Sequence, residues 1–147
     1  MTTDAFKRSL KDHQDKGFFK NLKILRGIER ESLRVSEKGR ISQKNHPENL
    51  GSPLTSKDIT TDFAEALIEL VTPTFESAEE LFKHLNLLHR FLYSEMEGEM
   101  LWNFSMPCAF ENEQEIRIAE YGETNSGMLK HIYRNCLLYT SPSPRDA

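Results

Sequence analysis

Residues 25–35 read LRGIERESLRV, a stretch whose polarity alternates from one residue to the next. Carboxylates and apolar side chains occupy one side of the alternation, and arginines occupy the other. The first side holds Leu25, Glu29, Glu31, Leu33 and Val35, and the second holds Arg26, Arg30 and Arg34. Because side chains two residues apart project from the same face of a strand, the pattern predicts a strand over residues 24–35. We expect its two faces to differ in charge.

Turn and loop residues follow this strand. The sequence EKGR at residues 37–40 predicts a turn before Ile41, and therefore a hairpin. Proline and glycine make residues 46–53 a loop by composition. The segment TTDFAEALIELVT at 60–72 mixes helix-favouring Ala and Glu with an apolar end before Pro73, and we expect a strand in its C-terminal half.

Three helices are predicted along the chain. Residues 3–16 have a weak apolar stripe and end at Gly17, a residue typical of helix ends. A capping box at residues 77–80 precedes leucines on one helical face and predicts a long helix over 78–97. A third, short helical pattern begins after residue 125.

Composition limits the classes of protein to consider. A chain of 147 residues with 37% hydrophobic residues has the size of one globular domain, and it has no apolar run of the roughly 18 residues that cross a membrane. Without an apolar export signal at the N-terminus, we expect a cytoplasmic location. Cys108 and Cys136 are too few for a disulfide framework, and Cys108 is expected to be buried. Basic residues alternate with acids, so nucleic-acid binding is not expected.

Glu29 and Glu31 lie on the same face of the predicted strand, roughly 6 to 7 Å apart along it. Carboxylates at this distance repel each other unless a cation lies between them. Oxygen ligands of this kind suit Mg²⁺, which often shares them with phosphate oxygens. The spacing is compatible with a divalent-metal site, but a solvated strand face paired with arginines is the more common arrangement.

Asp62, Glu65 and Glu69 add carboxylates to an otherwise apolar segment. Burial of an unpaired acid costs on the order of several kcal/mol, so acids in such a segment are expected to be paired or bound to metal. Glu69, between Ile68 and Leu70, is the strongest candidate. An amphipathic helix with these acids facing water is the alternative, and periodicity leaves both open.

The loop YGETNSG at residues 121–127 leads into the third helix, where free backbone N–H groups and the helix dipole could hold an anion. Arg134 could bind a carboxylate or phosphate with its forked guanidinium. A capping loop with a surface arginine is the alternative. Neither a GxxxxGK[ST] loop nor a GxGxxG fingerprint occurs, so ATP binding would need another architecture.

Six short segments carry a resemblance that no single one of them would establish. They are LRGIERESLRV (25–35), HPENLGSPLT (46–55), ITTDFAEALIELVTP (59–73), LHRF (88–91), MLWNFSMPC (100–108) and YGETNSGMLKHIYR (121–134). In this order, and over about residues 20–134, they closely resemble the proteobacterial type of glutamate-cysteine ligase.

This resemblance implies an α+β fold that is part of a glutamine-synthetase-like catalytic core, with a curved antiparallel sheet and outer helices, incomplete in this chain. It also implies site residues. Glu29, Glu31, Asp62 and Glu69 match the family's ligands for Mg²⁺ (or Mn²⁺), which hold the phosphates of ATP. Tyr133 and Arg134 match a substrate-binding YR pair, in which Arg134 is implied to be catalytic.

The activity implied by the resemblance is the ATP-dependent ligation of the L-glutamate γ-carboxyl to the L-cysteine amine, the first step of glutathione biosynthesis. L-glutamate, L-cysteine and ATP would be its small-molecule partners, with no nucleic acid or membrane. Two alternatives stay open, namely a related carboxylate-amine ligase with another amine substrate, and a non-catalytic domain that docks through the helix at 78–97.

The resemblance ends at Arg134. We therefore expect residues 1–134 to be the N-terminal part of a glutamate-cysteine ligase catalytic domain. Residues 135–147 read NCLLYTSPSPRDA, and we expect an unrelated tail, disordered or artefactual, because its Ser-Pro repeats extend neither a helix nor a strand. With most of the family's length missing, we expect the fragment to be inactive alone.

Overall fold

A computed structural model describes residues 3–140 of the chain. The helices are α1 (Thr3–Asp15), α2 (Ala78–Glu95) and α3 (Asn125–Thr140), and the strands are β1 (Glu29–Ser36), β2 (Ile59–Thr61), β3 (Leu67–Val71) and β4 (Glu99–Leu101). Short 3-10 turns occupy Phe18–Asn21, Glu48–Leu50 and Glu113–Glu115. Within the described range no helix is long and apolar enough to cross a membrane.

The four strands form an antiparallel sheet in the order β2-β3-β1-β4. In the β1–β3 pair Glu31 lies opposite Glu69, and Leu33 lies opposite Leu67. β4 pairs with the C-terminal end of β1, where Arg34 lies opposite Leu101. An antiparallel sheet with separate helices confirms the predicted α+β class, including the strand in the C-terminal half of 60–72.

β1 begins at Glu29 rather than at residue 24, so the predicted strand is too long at its N-terminal end. The reason is a change in hydrogen bonding: the Ile28 backbone N–H donates to the Thr72 side-chain Oγ1 (2.9 Å) instead of to a backbone carbonyl. On the N-terminal side of Ile28, strand pairing consists only of an isolated bridge between Arg26 and Phe75. The regular ladder therefore starts one residue after Ile28.

The predicted turn after β1 is present, but its return arm is short. The Ser36 N–H donates to the Arg40 carbonyl (2.9 Å), and Gly39 has φ 72°, a left-handed conformation that glycine adopts without strain. Ile41 forms only an isolated bridge with Val35. Its N–H donates instead to the carbonyl of Ala109 (2.9 Å), so the chain leaves the hairpin after a single pair.

α2 covers one face of the sheet. Its capping residue is Ser77, whose Oγ accepts from the N–H groups of Glu79 (3.2 Å) and Glu80 (3.4 Å), as the capping box predicts. Leu88 and Leu92 are buried against the sheet. The core on this face consists of Leu50, Ile59, Ile68, Leu70, Leu88, Leu92, Met96 and Leu101. The leucine face of α2 thus packs against the sheet and forms the core with it.

A smaller core lies on the other side of β1. It is formed by Val35, Ile41, Ala66 and Cys108, which confirms the expected burial of Cys108. Toward the N-terminal end of β1, the same face of the sheet carries the carboxylates described below. One face of the sheet is therefore apolar at one end and acidic at the other.

Arg34 is fully buried, at 0% exposure, although the alternation of the sequence placed it on the arginine side of the strand. Its Nη1 pairs with Glu99 Oε2 at 3.1 Å, and Glu99 is itself buried. The guanidinium also donates to three backbone carbonyls, those of Lys44 (2.9 Å), Asn45 (3.1 Å) and Glu65 (2.9 Å). One side chain therefore ties β1 to β4 and to two loops.

α1 matches the predicted helix at 3–16, and none of its residues is buried. α3 continues past the predicted domain boundary at residue 134 as far as Thr140. The remaining seven residues of the expected tail, 141–147, lie outside the described residues. The boundary itself stays a prediction.

The buried ion pair predicts a large stability effect. Replacing Glu99 by Gln leaves the Arg34 guanidinium buried without its carboxylate, and removal of one partner of a buried pair costs about 3 to 5 kcal/mol. Urea unfolding followed by far-ultraviolet circular dichroism measures this loss. The matched control is Glu97→Gln, an exposed position, for which we expect a change within about 0.5 kcal/mol. Equal effects of the two substitutions would refute the structural role of the pair.

Candidate metal-binding face

The β1–β3 register brings two of the predicted site residues together. Glu31 and Glu69 are directly opposed in an antiparallel pair, where Cβ atoms are roughly 4.5 to 5.5 Å apart. Glu29 lies two residues before Glu31 and therefore on the same face. Asp62 follows β2 directly, and its N–H donates to the Leu67 carbonyl at 3.1 Å. The four acids assigned by the resemblance thus come from three neighbouring strands and share one face of the sheet, which we call the acid face.

The electrostatics of Glu69 record this crowding. Burial raises the pKa of its carboxyl group above 4.5, and the nearby charges of Asp62, Glu31 and Glu29 raise it further. The ammonium group of Lys130 acts in the opposite direction. The other three acids therefore disfavour the charged form of Glu69.

The donor chemistry of the acid face fits a hard divalent cation, because all four side chains offer carboxylate oxygens. The side chains are not gathered into a cage, however. Among residues 3–140, no three His, Cys, Asp or Glu side chains lie close enough together to hold a metal ion. Metal binding therefore requires the carboxylates to move inward on the same backbone, and the metal assignment stays a prediction.

Two cations of α3 face these acids. Arg134 Nη2 pairs with Asp62 Oδ1 at 2.5 Å, with both side chains about three-quarters buried. Lys130 lies one turn earlier on the same helical face, with Nζ 4.0 Å from the centre of the Tyr121 ring. Burial and the charge of Arg134 lower the pKa of Lys130, whereas Asp62 and Glu69 raise it. Lys130 was not among the candidates predicted from the sequence, although its spacing of four residues from Arg134 places both on one helical face.

Close backbone packing fixes the start of α3 beside the acid face. A Cβ atom on Gly127 would lie 2.3 Å from the Tyr121 carbonyl oxygen, so only glycine fits. The Gly127 N–H donates to Thr124 Oγ1 (3.1 Å), which favours the capping-loop interpretation of residues 121–127 over an anion site. The hydroxyl group of Tyr121 donates a hydrogen bond to the backbone carbonyl of Asp62 (2.6 Å).

The remaining candidates lie elsewhere. Tyr133 is 60% exposed, and its role as a substrate contact stays a prediction. Glu65 is buried, and its two carboxylate oxygens accept from the backbone N–H groups of His46 (2.7 Å) and Glu120 (2.7 Å). Glu65 therefore joins two loops, which is neither the metal-binding nor the solvated role that its sequence position suggested.

The sequence of the chain matches one family of known proteins. The model of the glutamate-cysteine ligase family matches residues 8–141. The glutamate-cysteine ligase of Pseudomonas putida (strain W619) is 50% identical over 113 residues, which cover 77% of this chain and 22% of that protein. The corresponding protein of Hahella chejuensis is 50% identical over 117 residues, 79% of this chain and 22% of that one.

Solved structures give the same result. A crystal structure of the Francisella tularensis glutamate-cysteine ligase in complex with AMP superposes with a TM-score of 0.75 and 41% identity, over 80% of this chain and 24% of that one. A bifunctional glutathione synthetase from Pasteurella multocida gives a TM-score of 0.66 and 32% identity, over 77% of this chain and 14% of that one.

The fold and the acid face define an α+β protein in which an antiparallel sheet carries carboxylates on one face and a helix on the other. Together with the match over residues 8–141, they establish that the chain belongs to the glutamate-cysteine ligase family, of the proteobacterial type. The chain spans about a fifth of the length of the curated relatives it matches.

The raised pKa of Glu69 predicts a pH-dependent stability effect. Protonated Glu69 is favoured in the folded chain, so its stabilising contribution is present below the unfolded value of 4.5 and is lost as pH rises through the folded pKa. Glu69→Gln should therefore raise the free energy of unfolding at pH 7, and this gain should vanish below pH 4.5. Urea unfolding across this pH range, with a chelator present, measures both.

Glu37→Gln is the matched control, since Glu37 is exposed in the turn after β1. Its effect on the free energy of unfolding should be small and the same at every pH. A Glu69→Gln variant that is less stable than the wild type at pH 7 would contradict the repulsion inferred for the acid face.

Proposed function

We propose that this chain forms one wall of the active site of an ATP-dependent ligase that joins the γ-carboxyl of L-glutamate to the amine of L-cysteine. The observation that carries the proposal is the pairing of Glu31 opposite Glu69, with Glu29 and Asp62 on the same face. Family membership supports the reaction, and the AMP bound to the Francisella tularensis relative supports nucleotide binding.

The reaction begins with two anions that must meet. In the proposed sequence, the γ-carboxylate oxygen of glutamate attacks the terminal phosphorus of ATP and ADP leaves, giving an acyl phosphate. The amine of cysteine then attacks the acyl carbon, phosphate leaves, and the amine loses a proton. Both steps require negative charge to be neutralised where phosphate and carboxylate approach each other.

The acid face would meet this requirement indirectly. Glu29, Glu31, Asp62 and Glu69 would hold Mg²⁺ or Mn²⁺, and these ions would supply the positive charge that binds the phosphates of ATP. Burial raises the pKa of Glu69 most, and the charges of Asp62, Glu31 and Glu29 raise it further; a bound cation would relieve this second, repulsive effect, which supports the role. The carboxylates would orient the ions, and the rigid β1–β3 ladder would orient the carboxylates.

Arg134 would act on substrate from the opposite side. Its pairing with Asp62 places a guanidinium at the edge of the acid face, within reach of a phosphate or carboxylate bound there. We assign Arg134 a catalytic role and, with Tyr133, a substrate-binding role. Lys130 adds a second cation beside Arg134 and would limit the net charge that the acid face presents to an incoming anion.

The 147-residue chain should be inactive on its own. β2 and β4 are edge strands within the described sheet, and the chain supplies about a fifth of its relatives' length. Purified residues 1–147 should therefore release phosphate from ATP no faster than buffer when glutamate and cysteine are added. The full-length Pseudomonas putida relative is the positive control. Phosphate release that depends on both amino acids would overturn the prediction.

The metal assignment can be tested in that relative. Glutamine at the two positions that align with Glu29 and Glu31 should lower kcat by about a hundredfold or more, as expected when charge neutralisation in phosphoryl transfer is lost. It should also raise the Mg²⁺ concentration needed for half-maximal rate. The matched control has glutamine at the position that aligns with Glu37, which is exposed in the turn after β1. An unchanged Mg²⁺ dependence would refute the role of these acids.

A further inference from the structure

A second pocket, with a volume of about 580 Å³, lies on the opposite side of β1 from the acid face. Arg30 projects into it because this residue alternates along the strand with Glu29 and Glu31. The pocket is bounded by α2 and by the loop after β4, and the residues that matter here are Arg30, Asn86, His89, Arg90, Tyr93 and Asn103. None of its lining residues carries a carboxylate.

The guanidinium of Arg30 has only neutral partners. Its Nη1 hydrogen-bonds His89 Nε2 at 2.5 Å, and its Nη2 donates to the side-chain oxygen of Asn103. The Nδ1 of His89 lies 2.9 Å from the Leu85 carbonyl, which can only accept, so Nδ1 carries the proton and Nε2 accepts from Arg30. The charge of a half-buried guanidinium is therefore not balanced inside this pocket.

Arg90 adds a second positive charge to the same pocket. It is exposed and forms no ion pair with any residue in the described range. Arg34, Arg40, Arg117 and Arg134 pair with carboxylates, whereas Arg8 and Arg26 bind backbone carbonyls and do not line this pocket. Two uncompensated guanidinium groups thus share one pocket in a chain whose formal net charge is −4.

We propose that this pocket binds a phosphate group, either inorganic phosphate or a phosphate monoester, between Arg30 and Arg90. Paired guanidinium groups suit a dianionic tetrahedral group because they present planar N–H forks to its oxygens. The Asn86 amide and the Tyr93 hydroxyl supply further donors on α2. The site is separate from the proposed nucleotide site, because the thickness of the sheet lies between the pocket and the acid face.

Binding can be measured by nuclear magnetic resonance on the 147-residue chain. Inorganic phosphate is added at constant pH and constant ionic strength, with chloride as the replaced anion, and the imidazole signals of His89 are followed. A saturable shift is expected. Arg90→Gln should weaken phosphate binding by about tenfold or more, the usual effect of losing a hydrogen bond to a charged group. Because Arg90 is exposed and unpaired within the described range, this variant should keep its fold.

Arg8→Gln is the matched control, since Arg8 is an exposed arginine on α1. It should change phosphate affinity less than about twofold. Glycerol phosphate added in place of inorganic phosphate distinguishes the two sources: tighter binding assigns the pocket to a monoester, and equal or weaker binding assigns it to the free ion.

Three results would overturn the proposal. One is the absence of a saturable His89 shift at tens of millimolar phosphate, and another is an equal loss of binding in Arg90→Gln and Arg8→Gln. The third is an acidic peptide without phosphate that binds more tightly than either phosphate compound, which would assign the pocket to a protein segment. Loss of this site would leave the proposed ligase function untouched, because the acid face does not contribute to it.

Discussion

The register between β1 and β3 is the constraint on which the candidate site depends. It places Glu31 opposite Glu69 and, two residues along β1, Glu29 on the same face. A slip by one residue would turn Glu69 toward the side where Leu88 and Leu92 of α2 are buried. The apolar core therefore selects the register, since Ile68 and Leu70 must face α2, and the acids are carried to the opposite face as a consequence.

Buried Arg34 strengthens this constraint from the far end of β1. It pairs with Glu99 of β4 and binds backbone carbonyls of the loops at 44–45 and at residue 65. Glu65 in turn accepts from the backbone of Glu120, just before Tyr121, and Tyr121 binds the Asp62 carbonyl. Hydrogen bonds thus connect the centre of the sheet to the loop that leads into α3, the helix that supplies Arg134 and Lys130.

The acid face combines mutual repulsion with opposing cations. Burial and then the charges of three carboxylates raise the pKa of Glu69, while Arg134 pairs with Asp62 and Lys130 lies near both acids. The side chains of α3 thus neutralise part of the negative charge of the acid face. The carboxylates fit a divalent metal by donor chemistry, although their side chains are not gathered into a cage within residues 3–140.

Several elements followed from sequence alone because their causes are local. Alternation over residues 25–35 predicted the shared face of Glu29 and Glu31, and the capping box at Ser77 predicted the start of α2. The burial of Arg34 was missed because its carboxylate partner lies 65 residues away. The late start of β1 depends on the Thr72 hydroxyl, and the role of Glu65 depends on two distant N–H groups. These contacts are tertiary, so no local pattern contains them.

The most direct test of the account is calorimetric titration of Mg²⁺ into the 147-residue chain and into the double variant Glu31→Gln with Glu69→Gln. Glu37→Gln with Glu123→Gln removes the same charge from exposed positions and is the reference. The account predicts that the wild type and the reference bind Mg²⁺ at least about tenfold more tightly than the double variant, because carboxylate oxygens are the ligands Mg²⁺ requires. Equal Mg²⁺ affinity in all three proteins would contradict it.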